Sequence, residues 1–257
     1  MSPAQWDQIK QDVVERMKAH VRPFITPLGT ETPSTVRLVG TGNYVRQEEQ
    51  RILITCQHVA YTQPIHYRFF GDDSVFEHPG SWRMDPHPID AAVAALSDQA
   101  WNAVPHQAAT IPLSRFGPKH QLVEPAELVF LYGFAGENAD YGFGVHQTNG
   151  SGYCSQEIKN SGDDQIFEVF WEPDKTQYTA STSAEAREAV KFDNPKGLSG
   201  SLVWNTRYLE IEQAGGEWTP DDAIVTGLLR RYDPDKKSLL VWRVEHLLAW
   251  LCPPPNP

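Results

Sequence analysis

Three short stretches hold the residue types that can activate a hydroxyl. His58 stands in ILITCQHVA (52–60), Asp90 in HPIDAAVAAL (87–96) and Ser199 in NPKGLSGSLVWN (194–205). A serine hydroxyl is a weak nucleophile near neutral pH and needs a base to take its proton. Imidazole suits that task, because its ordinary pKa of about 6.5 lies near working pH. A carboxylate behind the ring fixes its tautomer and stabilises the imidazolium that forms. The three types together can run acyl transfer through a covalent intermediate. Taken singly they say little: His58 is one of nine histidines, Asp90 suits a turn before a strand, and serine in a glycine turn is common. Their order does say something. Asp90 follows His58 by 32 residues and Ser199 follows Asp90 by 109.

Short strand-like runs must position them. Candidates are Thr35–Val39, Tyr44–Arg46, Arg51–Thr55, Ile65–Phe70, Ala91–Leu96, Leu128–Phe134, Ile166–Trp171, Ser201–Trp204, Ala223–Leu229 and Ser238–Val244, separated by turn-rich segments. Many short strands with Gly and Pro between them predict an all-β fold. His58 and Asp90 fall at the end and the start of two such runs, and Ser199 just precedes a third. Residues Ser2–His20 predict an amphipathic helix: Ser2 can cap it, Pro3 suits its first position, and Trp6, Ile9, Val13 and Met17 recur on one face. Such a stripe packs on the main domain. Pro23, Pro27 and Pro33 break the helix. Glu245–Leu251 predicts a C-terminal helix before a Pro-rich tail. Residues Ala135–Gln165 and Glu172–Pro195 read as long polar loops.

With these motifs in place, the chain resembles the trypsin-like (chymotrypsin-fold) serine peptidases, especially their bacterial intracellular and glutamyl-endopeptidase-like branches. The resemblance rests on Thr55-Cys56-Gln57-His58, Asp90-Ala91-Ala92 and Gly197-Leu198-Ser199-Gly200-Ser201, in the family's order. Gly40-Thr41-Gly42, Tyr132-Gly133-Phe134 and Val225-Thr226-Gly227-Leu228 are similar to three further family segments. The resemblance covers roughly residues 35 to 251. It implies two six-stranded antiparallel barrels, roughly 25–120 and 121–245, within a peptidase domain 25–257 that follows a helix in 1–24. It also implies a triad of His58, Asp90 and Ser199, with the backbone N–H groups of Gly197 and Ser199 as oxyanion donors. Cys56 stands where the family usually has alanine, and Leu202 where it often has proline.

Specificity is open at this level. Asp193 lies six residues before Ser199, the spacing at which an acid in the family selects basic side chains. Pro195 and Lys196 alter that loop, and Arg230 and Arg231 at the same pocket would favour acidic side chains. Gly227 belongs to the strand that the resemblance places along the pocket.

Composition excludes other classes. A net charge of −11 repels phosphate backbones and anionic membranes. Cys56, Cys154 and Cys252 are widely spaced and form no CxxC pair. No basic segment leads into an apolar run at the N-terminus, and no apolar stretch approaches 18 residues. The expectation is a cytoplasmic protein with a protein or peptide substrate, a possible regulatory protein partner, and neither metal nor cofactor. A grouping of Asp85, His87 and Asp90 lacks a fourth ligand. The serine motif is not Gly-X-Ser-X-Gly, and its order is the reverse of the α/β-hydrolases. The alternative is a catalytically silent trypsin-like module that binds a protein partner; a third reading makes the N-terminal helix a docking segment in a larger assembly, with the protease as its effector.

Overall fold

Two segments that read as breaks, at Pro27 and at Gly40-Thr41-Gly42, are strand in the structure. The computed structural model describes residues 3–32, 35–142, 145–159, 163–173, 179, 182, 184 and 195–253. Among the described residues, β1 (Ile25–Thr32) runs through Pro27 and pairs with β2 (Thr35–Gln47), which runs unbroken through Gly40-Thr41-Gly42. Proline is tolerated in a strand beside a bulge, and the β1–β2 register shifts between Leu28 and Gly29. The sequence placed two separate runs in β2 and none in β1, because local propensity counts these residues as breakers.

The first sheet continues with β3 (Gln50–Thr55), β4 (His66–Tyr67), β5 (Phe76–Glu77), β6 (Trp82–Asp85), β7 (Ala91–Leu96) and β8 (Ile111–Pro112). Its order is β5-β4-β1-β2-β3-β7-β6, all antiparallel, with β8 added parallel to β2. The second sheet holds β9 (Val129–Gly142), β10 (Val145–Ser155), β11 (Glu157–Ile158), β12 (Ile166–Phe170), β13 (Leu202–Asn205), β14 (Ile224–Asp233) and β15 (Ser238–Arg243). It is ordered β10-β9-β13-β14-β15-β12-β11. Both sheets curl into half-barrels, and short edge strands bring the counts to eight and seven rather than six each. Part of the expected polar loop 135–165 is the β9–β10 hairpin. A ladder needs only backbone groups, so polar composition hid this one. Most of the second expected loop, 172–195, lies outside the described residues.

The helices of the described residues include α1 (Pro3–Val21), α2 (Gln57–Ala60), α3 (Asp98–Trp101), α4 (Tyr208–Gln213) and α5 (Val244–Leu251). The proposed cap Ser2 lies outside the described residues. Val13, Met17 and Val21 of α1 are buried in the main core. Arg16 stacks on Trp218 with 4.7 Å from guanidinium to ring centre, and donates to the Trp218 carbonyl at 2.9 Å. The amphipathic stripe is thus spent inside the chain.

One apolar cluster joins Leu28, Tyr44 and Ile54 of the first sheet to Leu202, Trp204 and Leu228 of the second. A smaller one, with Leu131, Phe167, Val203 and Val241, fills the second half-barrel. Adjacent Val203 and Trp204 enter different clusters because successive strand residues point to opposite faces. The segment between the sheets is pinned by a parallel bridge from Phe116 to Val225. Among the described residues, no helix is long and apolar enough to cross a membrane. All three cysteines are free.

Candidate active site

The register of β3 against β7 brings His58 to Asp90. Ile52, Leu53 and Ile54 are buried and fix β3 to the core. β3 pairs antiparallel with β7, with Thr55 opposite Ala92. The chain leaving β3 and the chain entering β7 therefore meet at one end of the sheet. Past Thr55, Cys56 stays extended and α2 makes one turn. Val59 and Ala60 are buried, which turns His58 outward with its side chain 47% exposed. Asp90 is tucked beneath it, 8% exposed, at a φ of +52°. Aspartate is among the few non-glycine residues that adopt this region readily.

The Asp90 carboxylate holds His58 at its backbone N–H and at ring Nδ1. Oδ1 accepts the backbone N–H of His58 at 3.1 Å. His58 Nδ1 lies 2.9 Å from Oδ2 and 3.0 Å from Oδ1. An ionised carboxylate only accepts, so Nδ1 carries the proton and Nε2 of the neutral ring presents a lone pair.

Ser199 sits in a turn clamped by β2. The turn is internally closed by Leu198 N–H to Pro195 carbonyl and Ser201 N–H to Leu198 carbonyl, both 3.0 Å. Gly197 and Gly200 have φ of +99° and +92°, a region open to glycine and costly for other residues. From β2, Thr41 N–H donates to the Ser199 carbonyl and the Thr41 hydroxyl to the Gly197 carbonyl, each at 2.9 Å. Asn43 Nδ2 donates to the Gly200 carbonyl at 2.5 Å. Gly200 N–H donates to the Leu229 carbonyl of β14 at 2.8 Å. The carbonyls of the turn are thus held from the first sheet. The backbone N–H groups of Gly197 and Ser199 donate to no protein acceptor among the described residues. Two free, neighbouring donors beside a serine can receive a developing oxyanion. Among the described residues, Ser199 Oγ and His58 Nε2 share no hydrogen bond.

The remaining sequence candidates part company. Asp193 lies outside the described residues. Gly227 is buried within the second sheet, opposite Val203 and Arg243, where a Cβ would meet the Trp242 carbonyl at 2.5 Å. Arg230 is only 2% exposed, and its backbone carbonyl lies 3.8 Å from Cys56 Sγ. Asp85 accepts a hydrogen bond from Trp250, and among the described residues Asp85, His87 and Asp90 do not bring their ligand atoms together.

Among the described residues, Cys56, His58 and Asp90 do place ligand-type atoms within 4.8 Å of one another. Burial pushes the Cys56 thiol well above its usual range, and Asp90 adds to this. The thiol donates instead to the Leu229 carbonyl at 3.2 Å. A metal needs the thiolate. The trio therefore suits a neutral thiol better than a metal. Thr41 and Asn43, the clamps of the serine turn, were not named from sequence. Their only signal was the Gly40-Thr41-Gly42 similarity.

No family model matches the chain, and no curated protein matches it. Solved structures do. The chain is similar to the active form of the Rv3671c protease from M. tuberculosis, at 15% identity and a TM-score of 0.55, covering 93% of this chain and 84% of that one. It is similar to an inactive form of Rv3671c at 14% identity and a TM-score of 0.51, covering 93% and 90%. The serine protease domain of the Sesbania mosaic virus polyprotein matches at 12% identity and a TM-score of 0.49, covering 91% and 94%. At these identities the likeness shows the fold: two curled antiparallel half-barrels of the trypsin type, with an N-terminal and a C-terminal helix.

Proposed function

We propose that the chain is a serine endopeptidase in which Ser199 is the nucleophile, His58 the base and Asp90 the residue that orients it. The observation that carries this reading is the grip of Asp90 on His58 Nδ1 at 2.9 and 3.0 Å, on a chain whose Ser199 turn leaves two backbone N–H groups free. His58 Nε2 takes the proton of Ser199 as Oγ attacks the scissile carbonyl. The N–H groups of Gly197 and Ser199 receive the oxyanion, and each such donor contributes about 3 kcal/mol to the transition state. His58 then returns the proton to the leaving amine, and water hydrolyses the acyl-enzyme by the same route. Each step uses side chains and backbone N–H groups of this chain alone. Protein or peptide substrates follow from this chemistry.

The test is intact mass after treatment with a fluorophosphonate. One adduct is expected on the wild type and none on Ser199→Ala, with thermal melting nearly unchanged. An adduct that survives in Ser199→Ala overturns the assignment. The missing Ser199–His58 hydrogen bond favours a second reading, a silent module that binds a partner in the same groove. Catalytic hydrogen bonds often tighten only on binding, so the outcome that selects the module is an unlabelled wild type, with and without peptide.

A further inference from the structure

His120, in the segment that joins the two sheets, is held by β11, β12, β14 and α5. Its ring lies flat on Phe167 of β12, with 3.7 Å between ring centres and 5° between planes. Its backbone N–H donates to Glu245 Oε2 of α5 at 2.8 Å. Nδ1 lies 2.7 Å from the Thr226 hydroxyl of β14, and Nε2 lies 3.4 Å from Glu157 Oε1 of β11. An ionised carboxylate only accepts, so Nε2 carries a proton toward Glu157. The His120 side chain is only 2% exposed. Thr226 is buried as well, so this Thr–His–Glu row offers no nucleophile to a substrate. Nor is it a metal centre: among the described residues, the ligand atoms of His120, Glu157 and Glu245 do not come together.

The row forms one wall of a cavity of about 290 Å³, near the small end for ligand sites. Glu157, Lys159 and Arg243 bring charge to the lining, and Leu122 and Pro125 give it an apolar side. No residue of the His58, Asp90 and Ser199 site takes part. The walls are fixed. The carbonyl of Gln121, also in the lining, accepts from Asn205 Nδ2 at 3.3 Å. Arg243 is tied by its backbone N–H to the Gln165 carbonyl at 2.9 Å and by Nε to the Ile166 carbonyl at 3.4 Å.

The charges of the lining do not cancel. Its one carboxylate, Glu157, is already engaged by His120. Lys159 and Arg243 make no ion pair among the described residues. On a chain with a net charge of −11, this cavity is left positive. A guanidinium fork matches a carboxylate through two parallel bonds. A doubly charged phosphate would set more negative charge beside Glu157, which opposes it.

We propose that this cavity binds the carboxylate of a small apolar acid or of a peptide C-terminus. Lys159 and Arg243 hold the carboxylate, and Leu122 and Pro125 cover the carbon chain. The site stands apart from the peptidase reading and does not depend on it.

The experiment follows the backbone amide NMR signals of the full chain as isovalerate, isovaleramide or inorganic phosphate is added. Isovalerate is expected to shift Leu122, Glu157 and Lys159 and to saturate. The amide, which lacks the charge, should leave them in place, and phosphate should bind more weakly than isovalerate. Arg243→Gln should weaken isovalerate by about tenfold, the loss of a charge-assisted bond. Lys159→Gln should weaken it by about threefold, because that ammonium is exposed. Shifts that are absent, equal for acid and amide, stronger for phosphate, or indifferent to both variants overturn the proposal. If Arg243→Gln fails to fold, Lys159→Gln decides it. The tripeptide Ala-Ala-Leu, with a free or an amidated C-terminus, separates the two sources. A free tripeptide that binds at least as tightly as isovalerate makes a chain end the ligand. One that does not bind makes it a free acid.

Discussion

The hydroxyl of Thr41, in the first sheet, donates to the carbonyl of Gly197, in the second half of the chain, at 2.9 Å, and the same oxygen accepts the Phe134 N–H at 3.0 Å. With the Thr41 N–H on the Ser199 carbonyl and Asn43 Nδ2 on the Gly200 carbonyl, this side chain ties the half-barrel that holds His58 and Asp90 to the turn that holds Ser199. Thr41→Val keeps the shape and removes both hydroxyl bonds. Buried groups left unpaired typically cost about 1–3 kcal/mol. The expected result is a lower urea midpoint and slower fluorophosphonate labelling, with far-UV circular dichroism unchanged.

Gly200 has no room for a side chain. An added Cβ would lie 2.1 Å from the Thr41 carbonyl oxygen and 2.3 Å from Thr55 Oγ1, at a φ of +92°. Gly200→Ala should cost roughly 3 kcal/mol or more and abolish labelling. Gly215→Ala is the control: its φ is +78° but a Cβ there meets nothing within 4 Å. It should cost only about 1–2 kcal/mol of backbone strain and leave labelling intact. Equal losses in the two variants would show that the clamp on the turn is not what matters at Gly200.

Asp90→Asn replaces an acceptor with a group that can donate toward Nδ1. The ring is then free to carry its proton on Nε2, the wrong atom for a base. Labelling should fall by about 10⁴-fold with little change in melting. A loss below tenfold would mean that Asp90 does not set the tautomer.

His20 predicts an acid-side loss of stability. Burial holds its ring below the ordinary histidine range, Arg115 adds to this, and Asp221 opposes it more weakly. The ring packs edge-on against Phe24 and Trp204. Below pH 6.5 the unfolded chain binds a proton at this site that the folded chain resists, so stability falls as pH drops from 6.5 through the lowered folded value. Urea midpoints between pH 7.5 and 5 should fall less steeply in His20→Gln than in wild type. Parallel slopes would remove His20 from the acid response.

The three thiols should separate cleanly. Cys252 is exposed. Burial pushes the Cys154 thiol up to about 12, and the buried Cys56 thiol is raised as well. In a native thiol titration with a disulfide reagent at pH 8, Cys252 should react first and the other two on the order of a thousandfold more slowly. Urea should release all three together. A fast second thiol would point to local opening near β10 or at the end of β3.

The sequence by itself determined the residue types, their order and their strand context. His58, Asp90 and Ser199 each adjoin an apolar strand run, because a strand that fills a core must be apolar and the residues at its ends are free to be polar. The helix of α1 was readable from its 3.6-residue stripe, and the C-terminal helix within one residue. Only the tertiary structure decided which groups meet. The β3–β7 register set the distance from His58 to Asp90, and nothing in either segment alone encodes it. β1 and the β9–β10 hairpin were hidden because backbone pairing across a sheet can override local propensity and polar composition. Arg230 read as a residue lining the specificity pocket; the structure shows it buried, which is uncommon for arginine. It falls where the β14–β15 register shifts, between Leu229 and Arg231. That shift depends on β14 and β15 together, and a single strand cannot announce it.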